Sequence, residues 1–159
     1  MASRSTHSAR DFDWPLSTDI VVLPGIPGAE TKSRLVRAPY PAVTVDIVKI
    51  LREGGLSVEY ARPKNERQLL DQKSGIDLWT PILVITQGAI ASGAGNLISA
   101  AILHFIRQHR MKNTILHVKV GVLEDQDKSI RWFEGSGAAE DVLHALTTAL
   151  KDPADGLDN

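Results

Sequence analysis

Hydrophobic and polar positions change period several times along the chain, and each change predicts an element. Leu116, Val118, Val120 and Val122 alternate with His117, Lys119 and Gly121, the period of two of a half-buried strand. Across a polar turn at 124–128, Ser129 to Phe133 predicts the returning arm of a hairpin, with Ile130 and Trp132 on one face. Near the start, Asp19 to Leu23 is a short β-branched run stopped by Pro24-Gly25, which predicts a buried strand entering a turn. Ile47, Val48, Ile50 and Leu51 recur at helical spacing, with Thr44 at the N-cap position before them and Gly54-Gly55 as a left-handed stop after them. Leu56, Val58 and Tyr60 then alternate, so strand, helix and strand predict a βαβ unit with a parallel pair. Asn65 with Gln68 three residues on predicts a short helix through Leu69 and Leu70. A last helix, opened by Gly137 and Glu140, turns Val142, Leu143, Leu146 and Leu150 inward.

The longest apolar run breaks all of these patterns. Leu78 to Ile106 holds 29 residues without Asp, Glu, Lys or Arg, more than the roughly 20 that cross a bilayer. Its middle, Ala91 to Gly95, is a cluster of small residues that predicts one helix kinked or broken near 92–95. Gly88, Ser92 and Asn96 lie four apart, as do Ala91, Gly95 and Ser99, so a helix here offers small faces for close approach. Gly88, Ala91, Ser92, Gly93, Gly95 and Ser99 are therefore the expected helix-packing or assembly surface. Past the break, Leu97, Ile98, Ala101, Ile102 and Phe105 form the docking stripe. The cations Arg107, His109, Arg110 and Lys112 follow, where they complement the carbonyls of a helix end or would suit an anionic membrane surface.

Composition narrows the reading. A chain of 159 residues with 43% apolar content and net charge −1 can bury a core of its own. The balance of 18 basic against 19 acidic residues supplies no field for nucleic acid, and no nucleic-acid partner is expected. Without Cys there is no disulfide, thiolate nucleophile or zinc-thiolate site, in agreement with a reducing cytoplasm, with membrane contact left open. The expected organisation is a flexible N-terminal segment at 1–18, one α+β domain at 19–151 and a disordered acidic tail at 152–159.

Chemistry is sparse in this sequence. The loop at 24–41 carries Gly25, Gly28, Arg34 and Arg37, yet it has neither the Gly-Lys-Ser/Thr of a P-loop nor the glycine spacing of a dinucleotide fingerprint. Proline punctuation explains it more simply than anion binding. His104 and His109 are five apart and point about 140° apart on a helix, so they do not chelate one metal. His7, His117 and His144 have no acidic partner at diagnostic spacing, and solvation or structural bonding is their expected fate. No catalytic residue, no cofactor and no metal site is expected.

The order of parts resembles the effector-associated constant component proteins of bacterial conflict systems. The resemblance spans about residues 43–150 and rests on VDIVKILREGGLSVEY, then VITQGAIASGAGNLISAAILHFIRQHR, then LHVKVGVLE with SIRWFEG. It implies a non-catalytic accessory protein of antiviral defence, encoded with ATPase or protease effectors and acting by assembly with itself, a partner effector or a membrane. Two other classes stay open: a membrane-inserting effector using 78–106, and a small α/β enzyme or anion-binding domain using the 24–41 loop. The expected fold is a single α+β domain in which strands near Ile20, Val58, Val118 and Ile130 join one small mixed sheet, a βαβ unit plus a C-terminal hairpin, beside a central apolar helix or helical hairpin.

Overall fold

Two short strands, apolar throughout except for the terminal Thr86, set the centre of the molecule. The computed structural model, which describes residues 18–26, 38–70, 77–124 and 129–151, pairs β1 (Ile20–Leu23) antiparallel with β6 (Ile82–Thr86). Both read as continuous apolar runs because both faces of the sheet are covered there. Ile20, Val22, Leu83 and Ile85 enter the main core, while Val21, Leu23, Ile82 and Val84 form a second cluster. The expected flexible segment at 1–18, apart from Thr18, and the tail at 152–159 lie outside the described residues, as do Gly28, Arg34, Arg37 and the turn at 125–128.

Around that pair the expected mixed sheet is built. The strand β3 (Val58–Tyr60) runs parallel to β1 on one side, and β7 (Ile115–Leu123) runs parallel to β6 on the other. Every residue of β7 also pairs antiparallel with β8 (Ile130–Ala138), the hairpin that the alternation predicts. The opposite edge of β7 is therefore shared by β6 and by β5 (Asp77–Trp79), which is parallel to it. Trp79 faces His117 and Leu83 faces Val120, so three residues of one strand stand against two of the other. That is a β-bulge at Thr80-Pro81, the one place in a central ladder where a residue without an N–H costs no bond.

Part of the central run therefore departs from the expected helix. Residues 77–79 and 82–86 are strands, and helix begins only with α2 (Gln87–Ala91) and α3 (Ala94–Gln108). The expected break is present: Gly93 adopts φ +93 between the two helices. An apolar run hides this boundary because a buried strand and a buried helix both lack a polar period. No helix among the described residues is long and apolar enough to cross a membrane.

Behind the sheet, α3 lays Ile98, Ala101 and Ile102 on the core, flanked by the partly buried Leu97 and Phe105. The last helix, α4 (Ala139–Lys151), starts directly from β8 and buries Val142, Leu143, Leu146 and Leu150. It meets α3 along the small residues. A Cβ on Gly95 would lie 2.9 Å from Leu150 Cβ, and Ser99 Oγ hydrogen-bonds Thr147 Oγ1 at 2.6 Å. The α1 helix (Thr44–Glu53) buries Ile47, Val48 and Leu51. Thr44 is not its N-cap as expected but its buried first residue, preceded by Val43 in helical geometry. Its far end is a Schellman turn: Gly55 has φ +98, its N–H donates to Arg52 O and that of Leu56 to Leu51 O.

The expected short helix at 65–70 is a single 3-10 turn at Lys64–Glu66 followed by the strand β4 (Arg67–Leu70). It pairs parallel with β2 (Ala38–Pro41), inside what reads as loop. Propensity loses here to one aromatic anchor. Tyr40 is wholly buried and meets Tyr60 edge-on at 5.3 Å, while the Arg67 guanidinium lies 3.7 Å from the Tyr60 ring centroid. Gly25, left-handed at φ +127, donates its N–H to Pro39 O. That amide is spent on the small sheet and is not free to cradle an anion.

Two outcomes follow. Gly95→Leu is expected to lower stability by roughly 1–3 kcal/mol, since α4 must move away. Gly88→Leu, where a Cβ meets nothing within 4 Å, is expected to change it by less than about 0.5 kcal/mol. Thermal melts of the two variants check the contrast, and equal melting temperatures would refute the packing. Burial pushes the Tyr40 hydroxyl up to about 12, with the Arg62 backbone amide and the charges of Arg67 and Arg62 pulling the other way. No partner of hydrogen-bonding geometry holds that hydroxyl, so the amide acts on it only from a distance. The unfolded chain ionises near 10, so this contribution to stability is complete below pH 10 and is lost as pH rises toward 12. The chain has 2 tyrosines, and tyrosinate absorbance recorded beside alkaline unfolding should show the two rise together.

Candidate functional site

Sorting the strand residues by face shows where exposed chemistry is left over. Leu116, Val118, Val120 and Val122 point to the helices, as do the buried residues of α1 to α4. On the opposite face of β7 stand His117, Lys119 and Gly121, and across the ladder Ser136, Glu134 and Trp132 face them in turn. No described helix packs on this side.

Three strands converge on His117. Its Nε2 lies 3.0 Å from Asp77 Oδ1 on β5, and its Nδ1 lies 2.9 Å from Ser136 Oγ on β8. The tautomer that satisfies both contacts donates Nε2–H to the Asp77 carboxylate and accepts at Nδ1 from the serine hydroxyl. The Trp79 ring stacks on the imidazole at 4.8 Å with 9° between planes. The side chains of His117 and Asp77 are 18% and 32% exposed, so the chain of bonds sits at the surface and not in a deep cavity. Hydrogen-bonded in this way, His117 fits the structural role expected of it. What the sequence does not show is its partner, because Asp77 is 40 residues away.

Next to this group, Lys119 places its Nζ 4.9 Å from the Trp132 ring centroid, a cation–π contact. Trp132 in turn lies across β7 over Gly121, whose missing side chain makes the space: a Cβ there would be 2.9 Å from Trp132 Cε3 and closer still to Ile130. The face thus carries two half-buried indoles, each bound to a cationic or ionisable neighbour. Glu134, opposite Lys119 in register, stays exposed.

A second polar group closes the C-terminal ends of β6 and β7, where open α/β sheets place their ligands. Glu124 accepts from Gln87 Nε2 at 2.9 Å and from Arg131 Nε at 3.0 Å, and Arg131 Nη2 is buried without a hydrogen-bond partner. These charges largely satisfy each other. Among the described residues, no three His, Asp or Glu side chains gather as a metal site.

The surface expected from small residues is divided by the break. Gly95 and Ser99 are consumed inside the chain against α4. Gly88, Ala91, Ser92 and Gly93 form an exposed corner between α2 and α3, with Ser92 Oγ donating to Gly88 O. Arg107, His109 and Arg110 end α3 as expected, His109 stacked on Phe105 at 4.0 Å.

Gly121→Ala should displace Ile130 and Trp132 and lower stability by about 1–3 kcal/mol, with a changed near-ultraviolet tryptophan signal. His117→Ala should cost about 1 kcal/mol, the worth of partly exposed hydrogen bonds, and leave that Trp132 signal intact. An identical loss of signal in both variants would mean that the two indoles form one unit. Compared with known proteins, the chain matches no family model, no curated protein and no solved structure.

Proposed function

We propose that this protein is a non-catalytic assembly module that binds a partner effector of a bacterial conflict system through the helix-free face of its sheet. One observation carries the reading: Trp79 and Trp132 stand half-buried on that face, each held in a fixed orientation by His117 or Lys119. Indoles whose rotamers are already fixed lose little entropy on binding, and tryptophan dominates the energetic centres of protein interfaces. Around them, Glu134, Ser136 and Lys119 supply the polar rim such a contact needs. The conflict-system setting rests on the resemblance in the order of parts and in the three segments quoted above.

A second reading is favoured by the Asp77–His117–Ser136 chain, whose residue types are those of a serine nucleophile with its base. Against it, Ser136 lies within an extended strand, where no sharp turn lifts its oxygen beside a pair of free backbone amides. The binding reading needs neither.

Co-expression with the products of neighbouring genes tests the proposal. Ser136→Arg and Lys119→Glu, both on the face, are expected to weaken a complex by at least about tenfold. Gly88→Arg, on the exposed helical corner, should leave it unchanged. Complexes equally tolerant of all three variants, or none formed with any neighbour, would overturn the reading. Sedimentation of the chain alone separates a second copy from a partner on the same face. Covalent labelling of Ser136 by a fluorophosphonate, abolished by His117→Ala, would establish the acyl-transfer reading instead.

A further inference from the structure

A groove of about 350 Å³ lies between α1 and the outer edge of β3, away from the face described above. That volume is in the range of ligand-binding clefts. Its floor is apolar: Val48, the half-buried Tyr60, and Val45, which is 49% exposed and one of the two large hydrophobic residues so exposed among those described. Its rim is cationic. Lys49 is exposed and has no ion-pair partner among the described residues, and Glu53 is the one carboxylate in the lining. Arg52 is pinned, its Nε and Nη2 donating to Val58 O at 3.2 and 2.6 Å. A guanidinium fixed in this way presents its remaining N–H groups to an anion without first losing side-chain freedom.

The strand edge adds a third feature. Ser57 O accepts from Ile20 N, and Ala61 N donates to Val22 O, so the backbone groups of Val58 and Tyr60 turn away from β1 by the alternation of a parallel ladder. Arg52 covers one of them, Val58 O. Tyr60 lines the groove, its N–H and C=O are turned to the outer edge, and no described strand pairs with that edge.

We propose that this groove binds a short extended peptide of a partner protein, in which an acidic and an apolar residue lie two apart and so share the face turned to α1. The carboxylate pairs with Lys49 and Arg52, the apolar side chain packs on Val45, Val48 and Tyr60, and the peptide backbone lies along the open edge at Tyr60. Charge selects the peptide: a basic one would meet Lys49, Arg52 and the Arg67 guanidinium stacked on Tyr60.

Fluorescein-labelled peptides repeating Asp-Ser-Val-Ser, and Lys-Ser-Val-Ser, are the probes, with anisotropy as the readout. The acidic peptide is expected to bind saturably below about 1 mM and the basic one not at all. Lys49→Glu and Val45→Asp should each weaken binding about tenfold. Both residues are exposed, so unchanged circular dichroism is the control for folding. Arg67→Gln tests the ring-stacked cation separately and should weaken binding less than Lys49→Glu. Equal binding of the two peptides, wild-type affinity in both groove variants, or no binding of the acidic probe would each overturn the proposal. Variants of the sheet face such as Ser136→Arg should not affect this binding, so the two surfaces fail or stand independently.

Discussion

Eight paired positions, four in β1 and four in β6, have to be covered on both faces at once. This constraint organises the molecule. One face receives the helices, because Ile20, Val22, Leu83 and Ile85 continue into Ile47, Leu51, Ile98 and Leu146 as one core. The other face is not left wet either: its own Val21, Leu23, Ile82, Val84 and Leu123 form a smaller cluster, with Ala61, Ile130 and Trp132 packed against it. Burying a side chain of this size is worth about 1.5–3 kcal/mol, so neither cluster is incidental. The polar row of His117, Lys119 and Ser136 begins where that apolar cluster ends.

Much of this was legible in the residues, and the legible parts share a cause. The β7 strand alternates because one face is wet and one dry, α4 repeats Val142, Leu143, Leu146 and Leu150 for the same reason, and Gly54-Gly55 marks a turn that side chains tolerate poorly. Where both sides are dry the signal disappears. Residues 82–85 have no polar side chain among them to betray their period, so the apolar run that begins in strand and continues in helix reads as a single helix. The small sheet of β2 and β4 was hidden for the opposite reason: its strands are short and proline-rich or polar, and what pairs them is the burial of Tyr40, a tertiary fact. Local preference in Asn65 to Gln68 for a helix start was overridden by it.

The candidate site was the least legible part. Asp77, His117 and Ser136 belong to three strands, and their meeting depends on register, which no spacing along the chain encodes. The small residues were visible as a cluster, but their use was divided: Gly95 and Ser99 go to an internal helix crossing, and the rest to a corner. An assembly surface and a tight internal packing surface have the same sequence signature, because both demand that backbones approach closely.

The bulge at Thr80-Pro81 has a consequence for parity. Ahead of it the odd-numbered Asp77 and Trp79 share the helix-free face, and beyond it the even-numbered Ile82 and Val84 do, while Leu78 and then Leu83 and Ile85 supply the core. One inserted residue lets a single length of chain serve two clusters that strict alternation would have set against each other. Remove it and either the indole and carboxylate turn into the helices or two aliphatic residues turn out of their cluster. The His117 group is therefore placed by a count of residues as much as by any bond it makes, and a chain of this fold could gain or lose the group by the insertion or deletion of one codon.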